Sequence, residues 1–263
     1  MAEENRATYG RPWERKELVL ALYLYCQIPF AKTKANNPEV IRLSSVLGRT
    51  PSSVARKLGN FGAFDPVLQE QGISGLRHYG REDYAVWQEF QGNWEALVEE
   101  SQSILHDTGA EWRPNHKGEP EPIIVRPSGP SERQASVTVR LCQSFFRRTV
   151  LSSYNSACCI CGIDLEDLLV AGHIVPWSVN LGARSDPENG LCLCSLHHQA
   201  FDTGLLSVDG SMCIVISSVL KSSRSDFLHF AVGSFADRKI LLPGRFSPKV
   251  DYLQWHYNNV LQP

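Results

Sequence analysis

No apolar run in the 263-residue chain reaches the ~18–20 residues that a membrane-spanning helix needs. The longest, residues 18–30, has acidic Glu14 and Glu17 beside it and no small-residue cleavage pattern. It reads as a buried helix rather than a signal peptide, and a cytoplasmic address with no membrane partner is expected. Cysteine, at 8 residues, is too sparse for a disulfide scaffold of this size. Charge of one sign is also missing: the net is −2 and the pI about 6.4, which taken alone argues against a nucleic-acid partner. Wholesale disorder is excluded by 43% hydrophobic and 21% charged residues, and the length suits two domains.

The distribution of charge says more than the total. Residues 1–60 hold 10 Lys/Arg against 5 Asp/Glu, whereas residues 61–132 hold 5 against 13. An acidic middle masks a basic front end, and local charge governs attraction to phosphates. The cysteines are uneven too. Cys158, Cys159, Cys161, Cys192 and Cys194 fall within 37 residues, in or near the stretch that holds His173, His197 and His198. Without a secretion signal, such clustering reads as metal before disulfide.

The chain organises as a mainly helical block 1–103, a proline-rich linker 104–136 with Pro114, Pro120, Pro122, Pro127 and Pro130, and a second domain 137–263. In the first block, an apolar helix precedes a second helix over 38–47 stopped by Gly48. Thr50 as N-cap and Pro51 at the first helical position then open a third helix over 51–58. Helix, short glycine-containing turn, helix resembles the helix-turn-helix of winged-helix DNA-binding domains. Ser52, Ser53, Arg56 and Lys57 would then face DNA from the start of the third helix. The competing reading is a small bundle with a solvated basic face. Tyr79, Tyr84, Trp87, Phe90 and Trp94 follow at helical spacing, as a core stripe or as a pocket for an extruded base. After the linker, residues 136–154 form an amphipathic pattern. A hairpin over 205–207 and 212–216, around Asp209-Gly210, and a closing helix over 252–261 complete the chain.

Cys158-x-x-Cys161-Gly162 is a zinc-knuckle pattern, and Cys194-x-x-His197 follows 33 residues on. Two such pairs make a Cys3His tetrahedron, a closed structural zinc site. Cys159 and Cys192 are left as small buried hydrophobes. Between the pairs, a short apolar strand ends at His173, a polar loop leads to a second strand over 190–193, and a helix starts near Ser195. His198 and Asp202, four apart, share one face of that helix.

The run C-x-x-C-G, A-G-H-I-V-P-W, E-N-G-L-C-L-C, L-H-H-x-x-F-D-x-G-L resembles the HNH nucleases of the ββα-metal fold, in a form common among restriction-type proteins. The resemblance covers residues 136–209. It implies that His173 is the general base and that Asn189 holds the loop and the base in place. It implies further that His198 is a ligand of one catalytic divalent ion, Mg²⁺ or Mn²⁺ or similar, with Asp202 where some relatives carry another ligand. One departure stands out: many members have Asp or His immediately before the catalytic His, and here that position is Gly172. Arg147, Arg148 and Arg184 are candidates for phosphate contacts, against a salt-bridged or solvated alternative.

The expectation is therefore an α+β protein: a mainly helical, helix-turn-helix or winged-helix N-terminal domain, then a ββα-metal HNH domain with a structural zinc site. Its function would be metal-dependent hydrolysis of double-stranded DNA as a restriction-type homodimer, with modified-cytosine dependence as a further option. The rival from another class is a non-catalytic, zinc-stabilised DNA-binding transcriptional regulator. A homing-type nuclease would share the chemistry.

Overall fold

The computed structural model describes residues 11–73, 75–76, 79–109 and 130–263. The chain divides into two compact units, Met1–Phe145 and Phe146–Pro263. No helix among the described residues is long and apolar enough to cross a membrane.

The first unit contains α1 (Arg15–Gln27), α2 (Pro38–Leu47), α3 (Pro51–Phe61), α4 (Pro66–Glu70), α5 (Arg81–Phe90) and α6 (Trp94–Asp107). Helix α1 is buried from Glu17 to Gln27, as an all-round apolar helix must be, and α2, α3, α5 and α6 pack around it. Local chemistry sets the ends of α2 and α3. Asn37 accepts from the Glu39 amide at 2.8 Å, and Gly48 ends α2 in the left-handed conformation at φ 59°, which favours glycine. Thr50 then caps α3 through the Ser53 amide at 3.2 Å. The turn between them is tied to α1 by Arg49, whose Nε and Nη2 donate to buried Glu17 at 3.0 and 2.7 Å.

Helix α3 runs past Leu58 to Phe61, beyond the end expected from Gly59 and Asn60. Phe61 is fully buried and Asn60 donates to Asp83 at 2.8 Å, so tertiary contacts outweigh poor helix formers. The stretch after α3 folds into helices, with Asp65 capping α4 through the Val67 and Leu68 amides. Among the described residues this unit has no strand and so no wing of a winged helix. Trp87, Phe90 and Trp94 are buried in its core, while Tyr79 and Tyr84 are exposed and set edge-on against Phe64. Helix α6 continues through Asp107, anchored by buried Leu105, and α7 (Pro130–Ser153) starts at a proline suited to a first helical turn. The linker expected over 104–136 is therefore helical at both ends; residues 110–129 lie outside the described residues.

The division between the units falls within α7. In the second unit β1 (Leu169–His173) pairs antiparallel with β2 (Gly190–Cys194), Leu169 opposite Cys194 and His173 opposite Gly190. All five residues of β2 are buried. Glycine is required at 190 because a Cβ there would lie 2.4 Å from Val150 Cγ2 and 2.9 Å from Phe146 Cζ of α7. Helix α8 (Ser195–Asp202) follows β2 without a loop. The remaining elements are the hairpin β3 (Leu206–Val208) and β4 (Ile214–Ile216), then α9 (Ser218–Lys221), α10 (Asp226–Ala231) and α11 (Val250–Asn259). Leu151, Leu169, Leu191, Leu193, Phe201 and Leu253 share the core of this unit.

Candidate metal centre and candidate active site

Two clusters meet on α8, because successive helical residues point about 100° apart. His197 turns inward and is buried; His198 turns to a half-open face.

The inward cluster joins Cys158, Cys161, Cys194 and His197, whose ligand atoms all lie within 4.8 Å of one another. The knuckle closes through Cys158 N–H to Ile163 O at 2.8 Å and Gly162 N–H to Cys158 O at 2.9 Å, with Gly162 at φ +76°. Cys161 Sγ is 3.9 Å from Cys194 Sγ, and His197 Nδ1 is 3.6 and 3.2 Å from the sulfurs of Cys158 and Cys194. A tetrahedral zinc ion, with bonds of about 2.3 Å to sulfur and 2.0–2.1 Å to nitrogen, sets edges of about 3.5–3.8 Å. The donor set and spacing thus fit a structural zinc ion. His197 Nε2–H donates to Ala231 O at 2.9 Å, which fixes the tautomer and leaves Nδ1 bare toward the cluster. Hydrogen bonding from Cys194, against the effect of burial and with help from His197, holds the Cys158 thiol well below the usual thiol range. Burial instead pushes Cys192 up to about 12, and Cys159 is raised well above the usual thiol range for the same reason. These two are neutral core thiols.

The outward face of α8 pairs His198 with Asp202, and both act electrostatically on His173. The His198 Nε2 and Asp202 Oδ2 atoms are 3.3 Å apart and partly exposed. Two neighbouring ligands of an octahedral cation with bonds of about 2.0–2.1 Å lie about 3 Å apart, so this imidazole–carboxylate pair fits one divalent ion with open positions. Gly172 has a local reason: a Cβ there would stand 2.8 Å from His198 Cδ2. The ring of His198 therefore occupies the space that an Asp or His at 172 would need.

His173 stacks on Phe146, with ring centroids 3.8 Å apart and planes 5° apart. Its Nε2 is 3.0 Å from Arg184 O. A carbonyl only accepts, so Nε2 carries the hydrogen and Nδ1 keeps its lone pair. Burial holds the imidazole below its usual value, opposed by the Arg184 carbonyl and the Asp202 carboxylate, with His198 adding to the lowering. The ring is thus neutral near pH 7.

Asn189 is fully buried. Its Oδ1 accepts from Val175 N–H at 2.8 Å, and its Nδ2 donates to Val175 O at 3.0 Å and Ala183 O at 3.2 Å. It staples both sides of the loop that delivers Arg184 O to His173. Two further supports were not legible beforehand. The Arg184 guanidinium lies 4.9 Å over the Trp177 ring, and Asp186 Oδ2 accepts from Lys249 Nζ at 2.8 Å and Tyr252 at 3.2 Å. The only prior signal for these was the polar, aromatic character of the loop.

The candidate DNA-contact residues divide. Ser52 and Arg56 are exposed on α3 and Ser53 is half-buried. Lys57 is tied down, its Nζ donating to both Asp83 oxygens at 2.7 and 3.0 Å, so an ion pair within the unit accounts for it. Arg147 donates to Leu169 O at 2.9 Å and so clamps α7 to β1; Arg148 is half-buried on the same helix.

Residues 158–209, about a fifth of the chain, match the HNH_2 family of HNH endonucleases. The matched segment spans both clusters, and it points to nuclease activity on DNA. No curated protein matches the chain.

Proposed function

We propose that this chain is a metal-dependent DNA endonuclease of the restriction type, cutting with its second unit and selecting its target with the helical first unit. The observation that carries the reading is His173: a neutral imidazole with Nε2–H clamped by a backbone carbonyl and a bare Nδ1, beside the His198–Asp202 pair. Phosphodiester hydrolysis needs a base for the attacking water, and a neutral imidazole takes a proton at physiological pH. Nδ1 is the atom that does so. Phe146 and Arg184 O hold the ring's plane and tautomer, and Asn189 holds the loop that supplies Arg184 O. His198 Nε2 and Asp202 Oδ2 would hold the divalent ion, which when bound neutralises charge on the phosphate and the leaving oxygen. Ser52, Ser53, Arg56, Arg148 and Arg184 are the proposed DNA contacts. One such site cuts one strand, so a double-strand break calls for two copies.

The test is supercoiled plasmid incubated with Mg²⁺ or Mn²⁺, in matched forms carrying cytosine, methylcytosine and oxidised methylcytosine. The reading expects metal-dependent nicking that His173→Ala abolishes while DNA binding persists. Cutting confined to one of these forms would set the modification requirement. Tight binding without nicking on every form and with both metals would instead identify a regulator.

A further inference from the structure

The second unit carries two exposed segments of opposite character, one running on from Cys161 and one bonded to His197 of its Cys–His cluster. From Cys161 the chain passes into residues 162–168, every one exposed. Here Ile163, Leu165 and Leu168 alternate with Asp164, Glu166 and Asp167, and Leu165 is 63% exposed. In the other segment, His197 is bonded to Ala231 O at the end of α10, whose Phe227 and Phe230 are 64% and 77% exposed. Residues 221–242 around them hold four Lys/Arg against two Asp. Leu241 links the two segments: its N–H donates to Cys159 O at 2.7 Å and its Cδ1 lies 4.0 Å from where a Gly162 Cβ would stand.

The acidic segment does not suit DNA as its occupant. Three carboxylates repel phosphate, and large apolar side chains between charges are the make-up of a protein interface with a charged rim. The complement of the acidic–aliphatic segment is a basic–aromatic one, and this same chain displays it a few residues from the same cluster. A two-fold axis would use both surfaces twice, residue i on j and j on i, and leave no surface of either kind uncovered.

We propose that two copies of this chain associate through these surfaces, the 162–168 segment of each lying on the α10 segment of the other. This inference stands apart from the nuclease reading, because its readout is mass and not cutting. Sedimentation of the full chain between about 1 and 100 µM should show a dimer. Asp164→Lys with Asp167→Lys, and separately Lys221→Glu with Arg224→Glu, should each raise the dimer dissociation constant roughly 10–100-fold, because like charges then face each other. Combining all four changes should restore dimerisation to within about threefold of the starting protein. Phe230→Ser, a surface change that leaves the core intact, should also give monomer. A monomeric parent at the highest concentration, indifference of the dimer to both charge reversals, or no recovery in the combined variant would each overturn the proposal.

Discussion

His173 and His256 occupy settings of the same build in two regions of the second unit. Each ring stacks on a phenylalanine, His173 on Phe146 at 3.8 Å and His256 on Phe201 at 3.6 Å. Each has Nε2 facing a backbone carbonyl, Arg184 O at 3.0 Å and Phe201 O at 3.2 Å. They part at the other nitrogen. His256 Nδ1 accepts from the Ser207 hydroxyl at 2.8 Å, with both residues buried. No partner for His173 Nδ1 occurs among the described residues, and its ring is half-exposed. His197 is a third version, with Nε2 on Ala231 O and Nδ1 turned to three thiols. One orienting bond thus recurs three times, and what faces the remaining lone pair separates structure, metal and chemistry.

The largest effect should come from His197. His197→Ala removes a ligand from a cluster of four, and binding of structural zinc is folding free energy in such sites. Zinc content measured by mass spectrometry should fall from one ion per chain to near zero, with several kcal/mol of stability lost in denaturant melts. The comparison breaks if zinc is retained and the melt is unchanged. Next is His173→Ala. Loss of a general base lowers the rate by ~10²–10⁴, or about 3–5 kcal/mol of barrier, while the fold loses the Nε2 bond to Arg184 O and the stack on Phe146, together about 1–3 kcal/mol. Plasmid nicking and thermal melts on the same sample separate the two readouts.

These contrasts also mark what the sequence can and cannot reveal. The spacing of Cys158, Cys161, Cys194 and His197 was legible because four donors must reach one point, and metal geometry allows few chain patterns. The ends of α2 were legible because Pro38 and Gly48 act on their own backbone. The end of α3 was not, since Phe61 and Asp83 hold it from outside the helix. The ion pair of Lys57, read from the sequence as a DNA contact, was hidden for the same reason: its partner Asp83 is 26 residues away. The reason for Gly172 lay in the ring of His198, and the clamp on His173 is a backbone carbonyl, an atom every residue carries. Sequence shows which side chains are present; it does not show which carbonyl or ring each will meet.

His256 yields a smaller, pH-dependent effect. Burial, opposed by the Phe201 carbonyl, holds this imidazole at about 4 against an ordinary value near 6.5. Between these values the unfolded chain binds a proton that the folded chain refuses, so stability is full above pH 6.5 and falls as pH drops through the window. The loss should reach about 2 kcal/mol by pH 5. Melts from pH 7 to 5 should show this slope in the parent and a flatter one in His256→Gln. Equal slopes would mean that the ring is not buried in its neutral form.

The smallest effect tests how the loop sets His173 apart from His256. His256 takes its carbonyl from a helix, whose backbone is rigid; His173 takes it from Arg184, in a loop braced by Asn189 and by the Trp177 stack. A cation–π contact of this kind contributes roughly 0.5–1 kcal/mol at a partly exposed site. Trp177→Leu keeps apolar bulk but removes the ring face, so the Arg184 carbonyl wanders and the Nε2 clamp loosens. Turnover should drop by a few-fold with KM little changed, because the bond orients the base and does not hold substrate. Trp177→Phe, which restores a ring face, should recover most of the loss. Had the stack served only to present the guanidinium to phosphate, KM would rise instead and turnover would stay put.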